Sequence, residues 1–257
     1  RNNNWLNTIK DHDIKLDSVK IEDDYITRLY NSPKPNIENP DCTVFLTMMT
    51  SGQLLITDKT TWLKTNIPIK RIDGNGYIYS YAGRSGYSLY YPEKRSVEVS
   101  NTLEFYQTTQ LNLLPNDELY IKELSESITS SNDSILVKVT KIHQYLTANH
   151  QYEISPKIPE TENPIIYFLQ NKTNAHCQYF SSAAVFLLRA QKIPCRIASG
   201  YLCVRYNSFG KYWVSKGIDC HAWVEYYDNG WKTFDPTEGA RITEDTKLFL
   251  KGFEGTY

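Results

Sequence analysis

The segment at residues 174–190, NAHCQYFSSAAVFLLRA, constrains the fold more than any other part of the chain. Its apolar residues recur at helical spacing and predict a helix buried in a core. We expect Asn174 to cap this helix, which would place Cys177 in the first turn. There the unpaired amides and the helix dipole favour a thiolate. The pattern therefore predicts either an activated cysteine nucleophile or a small buried core residue.

The hydrophobic period changes from helical to alternating after this helix. Upstream, Asn116 is expected to cap a helix that runs through Ile128, and either Asp133 or Ser134 to cap a second helix that ends at Asn149. Asn163-Pro164 opens a short third helix. Downstream, strands are predicted at residues 195–204, 211–215, 221–227 and 231–235. Helices followed by antiparallel strands predict an α+β domain over residues 113–257.

Residues 1–112 carry a different pattern, with alternating segments and Gly-rich turns. We expect residues 43–49 and 54–57 to form a hairpin across a Ser51-Gly52 turn. Further strands are predicted at residues 67–72, 77–82, 87–91 and 97–105. These patterns predict a β-rich N-terminal domain of unknown role.

Composition limits the partners. The net charge is −1 and no run of Lys or Arg occurs, which argues against nucleic acid and anionic membranes as partners. The longest aliphatic and aromatic run, residues 183–188, is far too short to cross a bilayer. Because the chain begins at Arg1, we expect a processed product or an excised fragment that does not itself insert into a membrane; any membrane tether would lie in segments outside it. No CxxC pair and no Asp-rich loop occurs, so no metal and no cofactor are expected.

A reactive thiol needs a base, and the base needs a group that orients it. We expect His176 to point away from Cys177, because successive helical residues diverge. His221 begins a strand that should pack against the cysteine helix. A turn at residues 228–230 centres the next hairpin near residue 229, which brings Asp235 within cross-strand or diagonal reach of His221. The spacing permits a Cys–His–Asp constellation without proving one.

Four blocks of the sequence resemble the core of the transglutaminase-like superfamily in order and spacing. They are AHCQYF at residues 175–180, LLRAQKIPCRIASGY at 187–201, HAWVE at 221–225 and WKTFDPT at 231–237. The resemblance covers roughly residues 114–237 and is strongest to bacterial members described as transglutaminase-like or as cysteine proteases. It implies a papain-like α+β core in which the nucleophile helix packs on an antiparallel sheet. The chain departs from the family pattern at four positions. Ala175 stands where Gly is frequent, and Gln178 stands where Glu is frequent. Cys195 stands where Ala is frequent, and Cys220 where a small residue is frequent.

The resemblance also implies a catalytic triad and a reaction. Cys177 takes the position of the nucleophile, His221 that of the base and Asp235 that of the orienting group. The implied reaction is acyl transfer on a protein or peptide carboxamide through a thioester, in a domain outside the cytoplasmic membrane. The same triad would serve a cysteine peptidase or amidase if water replaced the amine. A non-catalytic interaction module at the cell envelope is the remaining alternative.

We also predict roles for Tyr152, Trp223 and Asp219 in or near the site. The backbone N–H of Cys177 is one oxyanion donor, and Tyr152 is our candidate for the second, although Tyr152 could instead simply pack. Trp223 should share a face with His221 and form an active-site wall or part of the core. Asp219 should pair with Arg196 or influence which acceptors are preferred.

A disulfide between Cys195 and Cys220 is a separate expectation. If residues 195–204 and 211–215 formed a hairpin centred at 208–209, the mirror of Cys195 would fall near residue 222. The two thiols could then approach each other in an oxidising compartment.

Overall fold

The computed structural model describes residues 17–21, 24–28, 34–38, 40–45, 53–54, 60, 62–65, 71–72, 78–79, 86–90, 111, 113–159, 163–203, 205–237 and 241–242. The chain divides into two compact units, Arg1–Phe105 and Tyr106–Tyr257. The strand expected at residues 97–105 lies outside the described residues.

The N-terminal unit contains eight described strands. They are β1 Asp17–Ile21, β2 Asp24–Arg28, β3 Cys42–Phe45, β4 Gln53–Leu54, β5 Trp62–Thr65, β6 Arg71–Ile72, β7 Ile78–Tyr79 and β8 Gly86–Tyr90. One antiparallel sheet has the order β1-β2-β5-β8-β3, and a smaller one has the order β4-β7-β6. The expected hairpin between β3 and β4 is wrong, because β3 pairs with β8 and β4 with β7. The alternating pattern located strands but did not identify their partners.

The described part of the C-terminal unit contains four α-helices: α1 Pro115–Ile128, α2 Ile135–Asn149, α3 Pro164–Asn171 and α4 Cys177–Ala190. Of the two candidate caps of α2, Ser134 is the one whose side chain accepts from the first turn, and Asn163 caps α3 at the helix start that the sequence predicts. Asn116 does not cap α1. That helix begins one residue earlier, with Pro115 in the first turn, where a missing N–H costs nothing.

Helix α4 lies at the centre of the C-terminal core. Every residue from Phe180 to Leu188 is buried, because α1, α2 and α3 and the sheet all pack around it. A helix that is apolar on nearly all sides is stable only in such surroundings. The hydroxyl of Ser125 on α1 donates to the carbonyl of Leu187 at 2.9 Å, which fixes the two helices against each other.

Seven strands are described in this unit: β9 Gln151–Tyr152, β10 Cys195–Tyr201, β11 Arg205–Asn207, β12 Tyr212–Val214, β13 Cys220–Tyr227, β14 Trp231–Phe234 and β15 Arg241–Ile242. The main sheet is antiparallel in the order β10-β13-β14. β11 and β12 form a two-stranded sheet of their own among the described residues, and β9 pairs in parallel with β15. Within the described residues, no helix combines the length and the apolar character needed to cross a bilayer.

The register of β10 and β13 excludes the expected disulfide. Cys195 lies opposite Tyr226, and Cys220 lies opposite Tyr201. The two cysteines are therefore six residues apart along the ladder, roughly 20 Å at strand rise. All five cysteines are free thiols. The prediction failed because residues 205–214 form a separate hairpin instead of continuing the sheet, which displaces the mirror position.

The turn between β13 and β14 sets the geometry of the site. Tyr227 lies opposite Trp231 and Val224 opposite Phe234, so the hairpin is centred on residue 229, as expected. Asn229 and Gly230 both have positive φ, at 53° and 138°. A side chain at residue 230 would be strained, so glycine is suited to this turn.

Candidate active site

Cys177 is the first residue of α4, and its side chain is buried. His176 is the capping residue and is extended, with no side-chain cap bond. The expectation that Asn174 caps the helix is wrong, because its Oδ1 accepts instead from the backbone N–H of Gln151 at 3.1 Å. The chain is still extended at Ala175, which exchanges backbone hydrogen bonds with the β9 segment. This pairing fixes the segment that precedes Cys177 against β9.

The structure brings His221 and Asp235 into direct contact. Nε2 of His221 donates to Oδ2 of Asp235 at 2.7 Å, which leaves Nδ1 to bond the thiol of Cys177. Oδ1 of Asp235 accepts from the backbone N–H of Thr237 at 3.0 Å and from its hydroxyl at 2.7 Å. Burial would raise the pKa of Asp235, but these hydrogen bonds outweigh burial and hold the pKa below its ordinary value.

The thiol and the imidazole shift each other's protonation. Burial raises the pKa of Cys177, but hydrogen bonds from His176, His221 and the Ala222 amide, together with the charge of His221, bring it down to about 6. The Asp235 and Cys177 hydrogen bonds raise the pKa of His221 to about 9. At neutral pH the two groups therefore form a thiolate–imidazolium pair, the reactive state of a cysteine nucleophile.

His176 is a contact that the sequence analysis missed. Its ring hydrogen-bonds the thiol of Cys177 and lies edge-on to the ring of Tyr179, with centroids 4.9 Å apart. The expectation assumed that His176 was helical and pointed away. In the structure His176 is an extended capping residue, so its side chain does not follow the direction of a helical residue. Placing the start of the helix at Cys177 would have predicted this contact.

Tyr152 on β9 places its hydroxyl beside the nucleophile. The hydroxyl bonds the thiol of Cys177 and also contacts the backbone N–H of that residue. Burial, followed by the charge of the thiolate, raises the pKa of Tyr152, so the phenol keeps its proton. A neutral phenol and a backbone N–H converge beside the reactive sulfur.

Trp223 lies on the same side of β13 as His221. Its indole is nearly parallel to the imidazole, with centroids 6.3 Å apart and an interplanar angle of 21°. Gly200 on the neighbouring strand makes room for it, because a Cβ there would lie 3.0 Å from the indole. Trp223 therefore flanks the candidate base.

Asp219 does not pair with Arg196, contrary to one expectation. It binds Arg205 through both carboxylate oxygens, with Nη2 at 2.9 Å from Oδ1, and accepts from the Lys216 amide at 2.6 Å. Arg196 pairs with Glu225 on the facing strand at 2.6 Å. Asp219 thus fastens the β11–β12 hairpin close to the start of β13. Among the described residues, no three His, Cys, Asp or Glu side chains are arranged to hold a metal.

Residues 122–236 match the model of the Transglutaminase-like superfamily. That segment belongs to the transglutaminase-like superfamily. The chain is 32% identical over 158 residues to "Uncharacterized protein YebA" of Bacillus subtilis, a match that covers 57% of this chain and 21% of YebA. It is 39% identical over 72 residues to a "Protein-glutamine gamma-glutamyltransferase" of Pseudomonas aeruginosa, covering 27% of this chain and 11% of that protein.

The periplasmic domain of TgpA from Pseudomonas aeruginosa has a similar fold. The superposition has a TM-score of 0.62 at 20% sequence identity and covers 88% of this chain and 76% of that domain. The likeness confirms the expected class, an α+β transglutaminase-like core preceded by a β-rich region. The chain spans only about a fifth of YebA and about a tenth of the P. aeruginosa transferase.

Proposed function

We propose that the C-terminal unit catalyses acyl transfer from a protein or peptide carboxamide to an amine through a thioester on Cys177. The observation that carries the proposal is the buried thiol of Cys177, hydrogen-bonded to an imidazole that Asp235 holds by its other nitrogen. The matched relative named a protein-glutamine gamma-glutamyltransferase supports glutamine side chains as the carboxamides. In this proposal Cys177 is the nucleophile, His221 the acid and base, and Asp235 the orienting group.

In the first half-reaction the thiolate attacks the carboxamide carbon. A C–S bond forms, and the carbonyl electron pair moves onto oxygen. The developing oxyanion is stabilised by the backbone N–H of Cys177 and the hydroxyl of Tyr152, which converge beside the sulfur. The C–N bond then breaks, and ammonia leaves with a proton from Nδ1 of His221.

In the second half-reaction a primary amine attacks the thioester carbon. His221 accepts a proton from the amine, the C–S bond breaks, and the thiolate is regenerated beside the imidazolium. Water in place of the amine would give hydrolysis, which is the reaction of the peptidase alternative. In our proposal Trp223 covers one side of His221 and limits the approach of water.

The substrate and the location belong to the same proposal. A protein or peptide substrate fits the family, and a position outside the cytoplasmic membrane fits the matched periplasmic domain of TgpA. Tethering of this unit to a membrane by segments outside this chain is part of the same proposal.

The decisive assay combines the protein with a glutamine-bearing acceptor protein and a fluorescent primary amine. We expect covalent fluorescence with the wild type and none with Cys177→Ala. Cys203→Ala is the matched control, because Cys203 is an exposed thiol and that variant should retain full incorporation. Ammonia release or cleaved substrate without incorporation would favour hydrolysis. No reaction and no alkylation of Cys177 near neutral pH would contradict both enzymatic functions.

A further inference from the structure

A second thiol lies next to the nucleophile, and the packing of α4 on β13 puts it there. The hydroxyl of Ser181 donates to the carbonyl of Ala222 at 2.9 Å. One turn further along α4, the carbonyl of Val185 accepts from Sγ of Cys195 at 3.6 Å, and Cys195 lies opposite Tyr226. Helix and strand therefore run side by side in the same direction.

The same side-by-side arrangement extends from Ser181 and Ala222 toward the N-terminal ends of the helix and the strand. Cys177 lies one turn before Ser181, about 6 Å along the helix. Cys220 lies two residues before Ala222, about 7 Å along the strand, and shares its face because side chains alternate. The two cysteines therefore reach the same end of the helix–strand pair.

The contacts around the sulfur agree with this placement. The backbone N–H of Ala222 bonds the thiol of Cys177, so the sulfur lies against the strand only two residues from Cys220. Burial, followed by the charge of the Cys177 thiolate, raises the pKa of Cys220, which means that the two groups interact electrostatically. Cys220 also interacts with Tyr152, the residue on the other side of the nucleophile.

We propose that Cys177 and Cys220 form a reversible disulfide, so that the reactive thiol is an oxidation site with its own resolving cysteine. The proposal depends on the placement of two thiols and not on the transfer reaction. A disulfide needs Cα atoms within about 7 Å of each other and side chains that turn toward one another. The two residues share one end of the helix–strand pair, and the exposed side chain of Cys220 can rotate to bring its sulfur toward that of Cys177.

The chemistry requires a hydroperoxide as oxidant. The Cys177 thiolate attacks one peroxide oxygen, an S–O bond forms, the O–O bond breaks, and hydroxide or alkoxide leaves. Sulfur gives up the two electrons that the peroxide gains. The sulfur of Cys220 then attacks the sulfenic sulfur, an S–S bond forms, and the hydroxyl leaves as water with the thiol proton.

The other C-terminal thiols are poorly suited to this role. Cys195 is buried among apolar groups, and burial raises its pKa to about 12. Cys203 is exposed on the segment after β10, where its sulfur contacts the hydroxyl of Ser215 at 3.5 Å. Cys220 is the thiol that interacts with the nucleophile. The disulfide would block thioester formation while protecting the sulfur from irreversible oxidation.

The test treats the full chain with hydrogen peroxide, quenches with N-ethylmaleimide and maps the cysteines by mass spectrometry. We expect both Cys177 and Cys220 to disappear from the alkylated fraction, a linked peptide to appear, and dithiothreitol to restore both thiols. In Cys220→Ser the linked peptide should be absent, and Cys177 should instead proceed to sulfinic acid, which dithiothreitol does not reverse.

Cys203→Ser is the matched control and should form the same linked peptide as the wild type. The proposal is overturned if Cys220 stays fully alkylatable while Cys177 is oxidised, or if Cys177 links to Cys203 instead. Circular dichroism of each variant checks that the fold is retained. No substrate is present, so a failure of the proposed transferase activity would leave this result unaffected.

Discussion

Replacing His221 by alanine should remove most of the activation of Cys177. The ordinary thiol pKa is 9.0, and in the folded protein it is lowered to about 6, which corresponds to about 4 kcal/mol in favour of the thiolate. His221 contributes both a hydrogen bond and a positive charge to this lowering, whereas His176 and the Ala222 amide contribute hydrogen bonds. Since burial opposes the thiolate, we expect the variant's pKa to rise to about 8 or above.

The rate of alkylation by iodoacetamide measures this change without any substrate. With a pKa of about 6, roughly nine-tenths of Cys177 is ionised at pH 7, and with a pKa of about 8 roughly one-tenth is. We therefore expect the wild-type rate to rise through pH 6 and level off. The His221→Ala rate at pH 7 should be about tenfold lower or more, and the two rates should converge above pH 9.

Peptide mapping assigns the label to Cys177, and His143→Gln is the matched control. His143 is an imidazole that contacts Phe234 rather than the thiol, with ring centroids 5.6 Å apart, so its loss should leave the profile unchanged. The reasoning would be refuted if the wild-type midpoint lay near the ordinary thiol value. It would equally fail if His221→Ala left the midpoint at about 6.

Four further outcomes are expected. Tyr152→Phe should lower kcat for amine incorporation by about 10²–10³-fold, because an oxyanion donor is lost, and should also shift the alkylation midpoint of Cys177 upward, because the thiolate loses the hydrogen bond from this hydroxyl; a changed KM alone would contradict this. Asp235→Asn should lower kcat by about 10²–10⁴-fold with an unchanged circular dichroism spectrum, since His221 loses the charged, acceptor-only group that fixes its orientation and protonation. Transfer activity should rise through pH about 6 and fall through about 9, as the thiolate forms and the imidazolium is lost. Burial lowers the pKa of His150 in the folded state below its ordinary value of 6.5. The neutral imidazole therefore contributes to stability above pH 6.5, and this contribution is lost as the pH falls below that value. The thermal midpoint should fall less between pH 7 and pH 5 in His150→Phe than in the wild type.

The sequence predicts which residues meet in the site where helical spacing or the position of a turn determines the contact. Helix α4 follows from its apolar spacing, and the contact of His221 with Asp235 follows from a turn whose centre could be counted. Both depend on residues close together in the chain. The roles of these residues remain predictions, since proximity alone does not establish catalysis.

Features set by tertiary contacts could not be predicted in this way. The start of α4 shifted from the position expected with Asn174 as cap, because Ala175 still pairs with β9 and keeps the chain extended. That shift turned His176 toward the thiol. The Cys195–Cys220 expectation failed because the excursion of β11 and β12 cannot be distinguished by alternation from a continuing strand. Pairing partners in the N-terminal unit were missed for the same reason.

The three-residue turn at residues 228–230 has a consequence for how this protein can change over evolution. Side chains alternate between faces, so a change in loop length that slipped the register of β13 and β14 by one residue would move Asp235 to the opposite face of the sheet from His221. Substitutions within the turn would be tolerated as long as two positive φ angles remain accessible. Loop length at this corner, more than loop sequence, should therefore be under selection, and relatives that keep the active-site geometry should rarely differ from this chain in the number of residues between β13 and β14.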